Sequence, residues 1–235
     1  LEKRGIAWRN VAGYSTESVT QHTFAMLFYL LEKLPYYDRY VKDEKYIGDK
    51  MFTHFDKHFG ELAKMTWGII GLGNIGKRVA DIAKAFGCRV IYYSTSGRNS
   101  QPGYERVSFE ELLKESDIVS VHAPLDENTL DLMNKEAFHQ MKKTAIFLNL
   151  GRGPIVVEED LAEALEQDEI AAAGLDVLRV EPMSPENPLR RIKDSEKLLI
   201  TPHIAWATNE ARKRLVDEAY LNLEAFICGK ERNRV

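Results

Sequence analysis

The sequence predicts an α/β fold built on a doubly wound parallel sheet, and three observations carry that expectation. From Thr66 onward, short β-rich runs alternate with amphipathic helical stretches. The strand runs are continuously apolar, as expected of parallel strands covered on both faces. A glycine-rich turn, Gly71-Leu72-Gly73-Asn74-Ile75-Gly76, stands between the first such strand and the helix that follows it. Right-handed crossovers between parallel strands then make a doubly wound sheet the economical arrangement.

Taken in order, the chain opens with a short segment of 1–10 and then a helix signal. Ser18 with Gln21 reads as a capping box, leading into a long apolar helix that Pro35 is expected to stop. Its apolarity predicts packing against the sheet or another subunit. The stretch 36–59 mixes Tyr36, Tyr37, Tyr40, Tyr46, Phe52, Phe55 and Phe59 with many charges. Aromatic anchors on a polar background suit a docking arm at a subunit interface, and equally a packed surface loop. Strands are expected at Thr66–Ile70, Arg89–Tyr93, Ile118–Val121, Thr144–Leu148, Ala171–Leu175 and Leu198–Ile200. Helices are expected at Ile75–Phe86, Phe109–Lys114, Lys135–Met141 and Glu158–Glu166. A last helix runs from Thr208 to Cys228, with Gly229 as its stop signal.

Composition narrows the function classes. Of 235 residues, 44% are hydrophobic and 29% charged, which excludes a disordered or fibrous chain. Lys and Arg number 32 against 36 Asp and Glu, and no basic block stands out, which argues against nucleic-acid binding by phosphate neutralisation. The run Phe24 to Leu31 is far short of the roughly 20 apolar residues that cross a bilayer, so no membrane association is expected. Cys88 and Cys228 cannot form a disulfide framework and read as reduced thiols. With charged Glu2, Lys3 and Arg4 in place of a leader, a cytoplasmic location is expected. The first residue is Leu, and a fragment of a longer protein is expected.

The glycine turn has a mechanism when it lies between a strand and a helix. Gly71 allows the tight turn, Gly73 lets backbone approach a pyrophosphate, and Gly76 permits close helix–strand packing. The amides of Asn74 and Ile75 would point at the phosphates from the helix N-terminus. The alternatives are a structural turn or an S-adenosylmethionine-type site. A Rossmann-type dinucleotide domain is the reading taken forward. An NAD site usually has Asp or Glu about 20 residues beyond the glycines to hold the ribose hydroxyl. Ser94 stands there instead. Ser94, Thr95, Ser96 and Arg98 could bind a 2′-phosphate, or the hydroxyls could bind plain ribose, so both NAD and NADP stay open.

Polar segments recur at the expected strand ends: Asn149 to Gly153, Leu175-Asp176-Val177 with Glu181-Pro182, and Pro202 to Trp206. Ligands of open α/β sheets sit beyond the carboxyl ends of the strands. Ser94, His122 to Pro124, Arg152, Asp176 and His203 are therefore expected along one edge. Together they supply a carboxylate clamp, a proton donor and a carboxylate to orient it. His54 and His58, four apart and near Asp56, have no third ligand signature, so no metal is expected. His22 and His139 read as structural or solvated, and Cys88 as packing.

Those motifs, with Val11-Ala12-Gly13-Tyr14-Ser15-Thr16-Glu17-Ser18-Val19 and Val121-His122-Ala123-Pro124-Leu125, resemble the D-isomer-specific 2-hydroxyacid dehydrogenases over nearly the whole chain. The His203-Ile204-Ala205-Trp206 ending is most similar to glycerate dehydrogenases and hydroxypyruvate reductases. The resemblance implies that Arg152 binds the substrate carboxylate and carbonyl, His203 is the acid/base and Glu181 its partner. It implies that Asp176 holds the nicotinamide end, and that Ala123, Leu150 and the His203 to Trp206 segment line the cofactor site. It implies a small 2-oxo or 2-hydroxy acid substrate of the glycerate or glyoxylate class; a homodimer is expected from the aromatic arm. It also implies a division into a dinucleotide-binding domain, 11–206, including a helix and arm at 15–60. Remnants of a discontinuous substrate domain are implied at 1–10 and 207–235. A chain lacking the other half of that domain is expected to bind cofactor and turn over poorly. The competing class is a nucleotide-sensing binding protein or co-repressor on the same fold.

Overall fold

The computed structural model describes residues 2–4, 6, 8–98 and 100–233. Of the two segments assigned to a second domain, Leu1, Gly5, Ala7, Arg234 and Val235 lie outside the described residues.

Two helices precede the sheet, α1 (Thr16–Leu31) and α2 (Leu34–Lys42). The expected capping box is not there. Ser18 lies inside α1, buried, and its hydroxyl donates to the Ala205 carbonyl. That tertiary bond takes the hydroxyl the cap would have used, and the helix starts earlier, behind Ser15. Pro35 does not stop α1 either. The helix ends at Leu31, Lys33 turns the chain with φ 54°, and Pro35 occupies the first turn of α2. A proline costs nothing there, because its missing N–H would have had no helical partner.

The alternation then follows as β1 (Thr66–Ile70), α3 (Asn74–Ala85), β2 (Arg89–Tyr93), β3 (Glu105–Arg106), α4 (Phe109–Glu115) and β4 (Ile118–Val121). It continues with α5 (Lys135–Gln140), β5 (Ile146–Asn149), α6 (Glu158–Glu166), β6 (Ala172–Leu175), β7 (Leu198–Ile200) and α7 (Asn209–Ile227). Local chemistry starts several helices as the residues suggest. Ser108 accepts from the Glu111 amide, Asn134 from Ala137, and Thr208 from Ala211. Gly229, at φ +67°, follows α7. Strand β3 has no signal in the sequence, since it is two exposed charged residues and carries no apolar pattern.

Among the described residues the strands form one parallel sheet in the order β3-β2-β1-β4-β5-β6-β7. Successive residues of each strand serve opposite faces. Ile70, Ile91, Val119, Val121, Phe147 and Leu175 pack with α4, α5 and α6. Trp67, Ile69, Val90, Tyr92, Ile118 and Leu148 pack with α1 and α3. This double burial is why the strands read as continuous apolar runs. The chain order reverses between β1 and β4, which opens a crevice beyond their carboxyl ends. Among the described residues no helix is long and apolar enough to cross a membrane.

Candidate active site

The crevice beyond β1 and β4 is built mainly of backbone. Gly71 turns the chain at φ +91°, and its amide donates to the Tyr93 carbonyl at 3.1 Å. A side chain at Gly71 would stand 2.8 Å from Ala123, and one at Gly76 would stand 2.3 Å from the Gly71 carbonyl oxygen. Both glycines are therefore required by the chain itself. Gly73 differs, because a Cβ there would meet nothing within 4 Å. It faces open space at the start of α3, and no side chain caps that helix. Free first-turn amides and an open approach beside Asn74 and Ile75 fit a dinucleotide pyrophosphate. Ala123, almost fully buried, closes the crevice from the β4 side.

At the end of β2, Ser94 is buried while Ser96 and Arg98 are exposed. Behind the crevice, Trp67 Nε1 donates to Ser120 Oγ at 2.8 Å, and Ser120 lies 3.1 Å from His122 Nε2. Burial drives the His122 pKa down to about 3, so its ring stays neutral.

The other half of the cleft is assembled from side chains on three loops. After β5, the fully buried Asn149 accepts from the Gly151 amide and donates to the Arg152 carbonyl, both at 3.0 Å. That clasp shapes the turn carrying Leu150, which is buried, and Arg152, which is exposed with Nη1 on the Gly151 carbonyl at 2.8 Å. After β6, Glu181 accepts from the Leu178 amide at 2.8 Å through Oε1. Its Oε2 lies 2.7 Å from His203 Nδ1. Burial opposes ionisation of Glu181, but the bonds from His203 and the Leu178 amide, with the charges of His203 and Arg152, hold its carboxyl below the usual range. Arg152, Glu181 and His203, separated widely in sequence, thus act on one another.

Asp176 ties the third loop to the sheet. Its Oδ1 accepts from Thr201 Oγ1 at 2.6 Å and from the Ile204 amide at 2.9 Å, and its Oδ2 accepts from the Ala205 amide at 2.9 Å. The Asp176 carbonyl accepts from the His203 amide at 2.8 Å. These bonds hold His203 at φ 54°, a left-handed conformation that costs a non-glycine residue about 1–3 kcal/mol. With Nδ1 on Glu181, the ring is left with Nε2 for a substrate. Trp206 meets the Tyr14 ring edge-on at 6.3 Å. A cavity of about 470 Å³ beside His203 is lined by Leu178, Pro182, Met183 and Ile200 together with Asp176 and Glu181.

Sequence reasoning missed Asn149, Thr201 and Ser18 as supports of these loops, and took His22 as structural or solvated. The ring is structural, with His22 Nε2 at 3.0 Å from Thr201 Oγ1. No residue-type signal marks such supports, since each acts only through a partner distant in sequence. Elsewhere, His54 stacks on Tyr40 with ring centres 3.7 Å apart and bonds the Tyr36 hydroxyl, which ties the aromatic arm to α2. Among the described residues no group of three His, Cys, Asp or Glu could hold a metal ion. Cys88 is buried against the Leu62 carbonyl, its thiol pushed up to about 11 by desolvation. His139 is exposed beside Glu169.

Comparison with known proteins identifies the family. The pattern of the D-isomer specific 2-hydroxyacid dehydrogenase NAD binding domain matches residues 24–205. A hydroxypyruvate reductase of Blautia hydrogenotrophica is 38% identical over 239 residues, covering 100% of this chain and 72% of that protein. Among solved structures, a D-lactate dehydrogenase of Aquifex aeolicus complexed with NAD and lactic acid superposes with a TM-score of 0.87 at 31% identity. That match covers 97% of this chain and 71% of the other. An acyclic imino acid reductase in complex with NADPH and D-Arg superposes with a TM-score of 0.89 at 30% identity, covering 100% of this chain and 73% of the other. The cofactor is thus NAD or NADP. The chain belongs to the D-isomer specific 2-hydroxyacid dehydrogenase family, oxidoreductases that transfer a hydride between a nicotinamide cofactor and a small 2-hydroxy or 2-oxo acid.

Proposed function

We propose that the protein reduces a small 2-oxo acid of the hydroxypyruvate or glyoxylate class to its D-2-hydroxy acid and catalyses the reverse oxidation. The observation that carries this reading is the 2.7 Å contact between His203 Nδ1 and Glu181 Oε2, set in the field of Arg152. The bound nicotinamide supplies or accepts the hydride. Gly71, Gly73, Asn74, Ile75 and Gly76 hold its pyrophosphate, and Ser94 lies toward the ribose. Ala123, Leu150, Asp176, His203 and Trp206 line the rest of the cofactor site.

Arg152 grips the substrate carboxylate through paired N–H donors, which leaves one face of the carbonyl carbon open. As negative charge grows on the carbonyl oxygen, His203 Nε2 donates its proton there. The Glu181 carboxylate fixes the plane of the ring through its bond to Nδ1. In the oxidation direction His203 takes the hydroxyl proton. A sensor that only binds nucleotide has no use for this complete set, and the resemblance to a hydroxypyruvate reductase supports turnover on that substrate class.

We assign 11–206 to the dinucleotide-binding domain and 1–10 with 207–235 to a second one. In support, Asn10 N–H donates to the Asn233 carbonyl and Asn222 donates to the Asn10 carbonyl, so the two flanking segments meet. A homodimer joined through the arm after α2 accounts for its exposed Ile47, Phe52 and Phe55. The functional reading is tested by steady-state assay on hydroxypyruvate, glyoxylate and pyruvate of this chain extended to the length of its relatives, since the 235-residue chain alone is expected to turn over poorly. Oxidation of NADH or NADPH is expected with the first two. No oxidation with any of them would overturn the reading.

A further inference from the structure

A histidine outside the assigned machinery reaches the loop that carries His203. His22 lies on α1, partly buried, with Nε2 at 3.0 Å from Thr201 Oγ1 and 3.7 Å from Asp176 Oδ1. The direction of the bonds follows from proton count. An ionised carboxylate only accepts, so the single Thr201 hydroxyl proton goes to Asp176 Oδ1 at 2.6 Å. Thr201 Oγ1 must then accept from His22, which carries a proton on Nε2. The relay reads His22 Nε2–H to Thr201 Oγ1, Thr201 O–H to Asp176 Oδ1. Asp176 in turn takes the Ile204 and Ala205 amides on its carboxylate and the His203 amide on its carbonyl.

Resting on the reading of His203 as proton donor, we propose that His22 is a positioning residue for this reaction, holding the 203–205 loop in its strained turn through Thr201 and Asp176. Helix α1 also holds this loop at a second point, since Ser18 donates to the Ala205 carbonyl. The helix therefore grips both ends of the segment, and His22 is the grip that ends on the Asp176 carboxylate. Desolvation outweighs the pull of Asp176 and lowers the His22 pKa, in keeping with a neutral ring that acts as a hydrogen-bond donor. Without that donor Thr201 Oγ1 loses the hydrogen bond it accepts and keeps only its own bond to Asp176, so helix α1 no longer holds the Asp176 carboxylate in place. The His203 ring then keeps its Glu181 partner but loses its fixed position over the substrate.

The test is the kinetics of His22→Phe, which keeps the ring and removes the donor. The expected result is a kcat lowered by about 10- to 100-fold, with substrate KM and NADH Kd close to wild type. His22→Gln, whose amide can still donate, is expected to recover most of the loss. Thr201→Val should reproduce the His22→Phe effect, and the double variant should be no worse than either single one, because both break one relay. In proton–nitrogen correlation spectra, the Ile204 and Ala205 amide signals should move in His22→Phe and return in His22→Gln. If His22→Phe fails to fold, Thr201→Val and His22→Gln carry the same comparison. A wild-type kcat in His22→Phe or Thr201→Val would overturn the proposal. So would a loss expressed as weaker NADH binding, or additive effects in the double variant. Turnover that survives His203→Ala would instead overturn the reading of the site itself, which separates the two failures.

Discussion

The two halves of the cleft are made of different material. Beyond β1 and β4 the surface is backbone, with two glycines forced by neighbouring chain and a third, Gly73, facing open space. Beyond β5, β6 and β7 it is side chains on separate loops, each fastened by a buried polar partner: Asn149 for the Arg152 turn, the Leu178 amide for Glu181, Asp176 for His203. The first half suits a phosphate group common to many ligands, which backbone amides can hold. The second, on the proposed reading, would aim particular atoms at a reacting carbon, which backbone alone cannot do. Changes in the second half should therefore act on turnover, and changes in the first on cofactor binding.

The largest expected effect is on the side-chain half. His203→Ala should lower kcat by about 10²–10⁴-fold with NADH affinity near normal in a fluorescence titration. A comparable loss of cofactor binding would erase the distinction between the halves. Arg152→Ala should lower kcat and raise KM together, since on the proposed reading the guanidinium would both bind and align the substrate. A change in KM alone would assign it to binding only.

On the backbone half, Gly73→Leu should weaken dinucleotide binding by about tenfold or more, roughly 1.4 kcal/mol. Its φ is −82° and its Cβ direction is open, so the melting temperature should barely change. Gly76→Leu is the contrast, because its Cβ would meet the Gly71 carbonyl oxygen at 2.3 Å, and there the fold itself should suffer. Calorimetry with paired thermal melts separates the two.

His122 supplies a pH test of the same half. Its folded-state pKa lies near 3, below the unfolded imidazole value of about 6.5. Its stabilisation is therefore complete above about pH 6.5 and is lost as pH falls toward 3, because the unfolded chain takes the proton first. Urea unfolding of the wild type against His122→Asn should show the difference shrinking by up to about 1.4 kcal/mol per pH unit in that window. A constant difference would mean that the ring is not held neutral.

The smallest effect expected is a change of preference. Ser94→Asp should favour NADH over NADPH by adding a ribose acceptor and repelling a 2′-phosphate. An unchanged ratio of kcat/KM for the two cofactors would remove Ser94 from the ribose site.

What the sequence determined by itself is what neighbouring residues decide among themselves. The strands at Thr66–Ile70, Arg89–Tyr93, Ile118–Val121 and Leu198–Ile200 stand where their apolar runs put them, because both faces of a parallel sheet are buried. The glycine turn was legible because the turn, the strand before it and the helix after it are contiguous. The residues proposed for the catalytic half, Arg152, Glu181 and His203, were named from type and order, and the fold brings Glu181 and His203 into contact. Only the tertiary structure decided how they are held. Strand β3 is two charged residues paired by backbone to β2, with Arg89 bridging Glu105 and no apolar pattern to announce it. Ser18 gave up a cap for the Ala205 carbonyl, and Pro35 opened a helix after Lys33 had already turned the chain. Asn149, Thr201 and His22 support the site only through partners that folding brings to them. A hydrogen bond between residues 179 positions apart, such as His22 to Thr201, leaves no trace in either local pattern, because its geometry comes from the packing of α1 against β7.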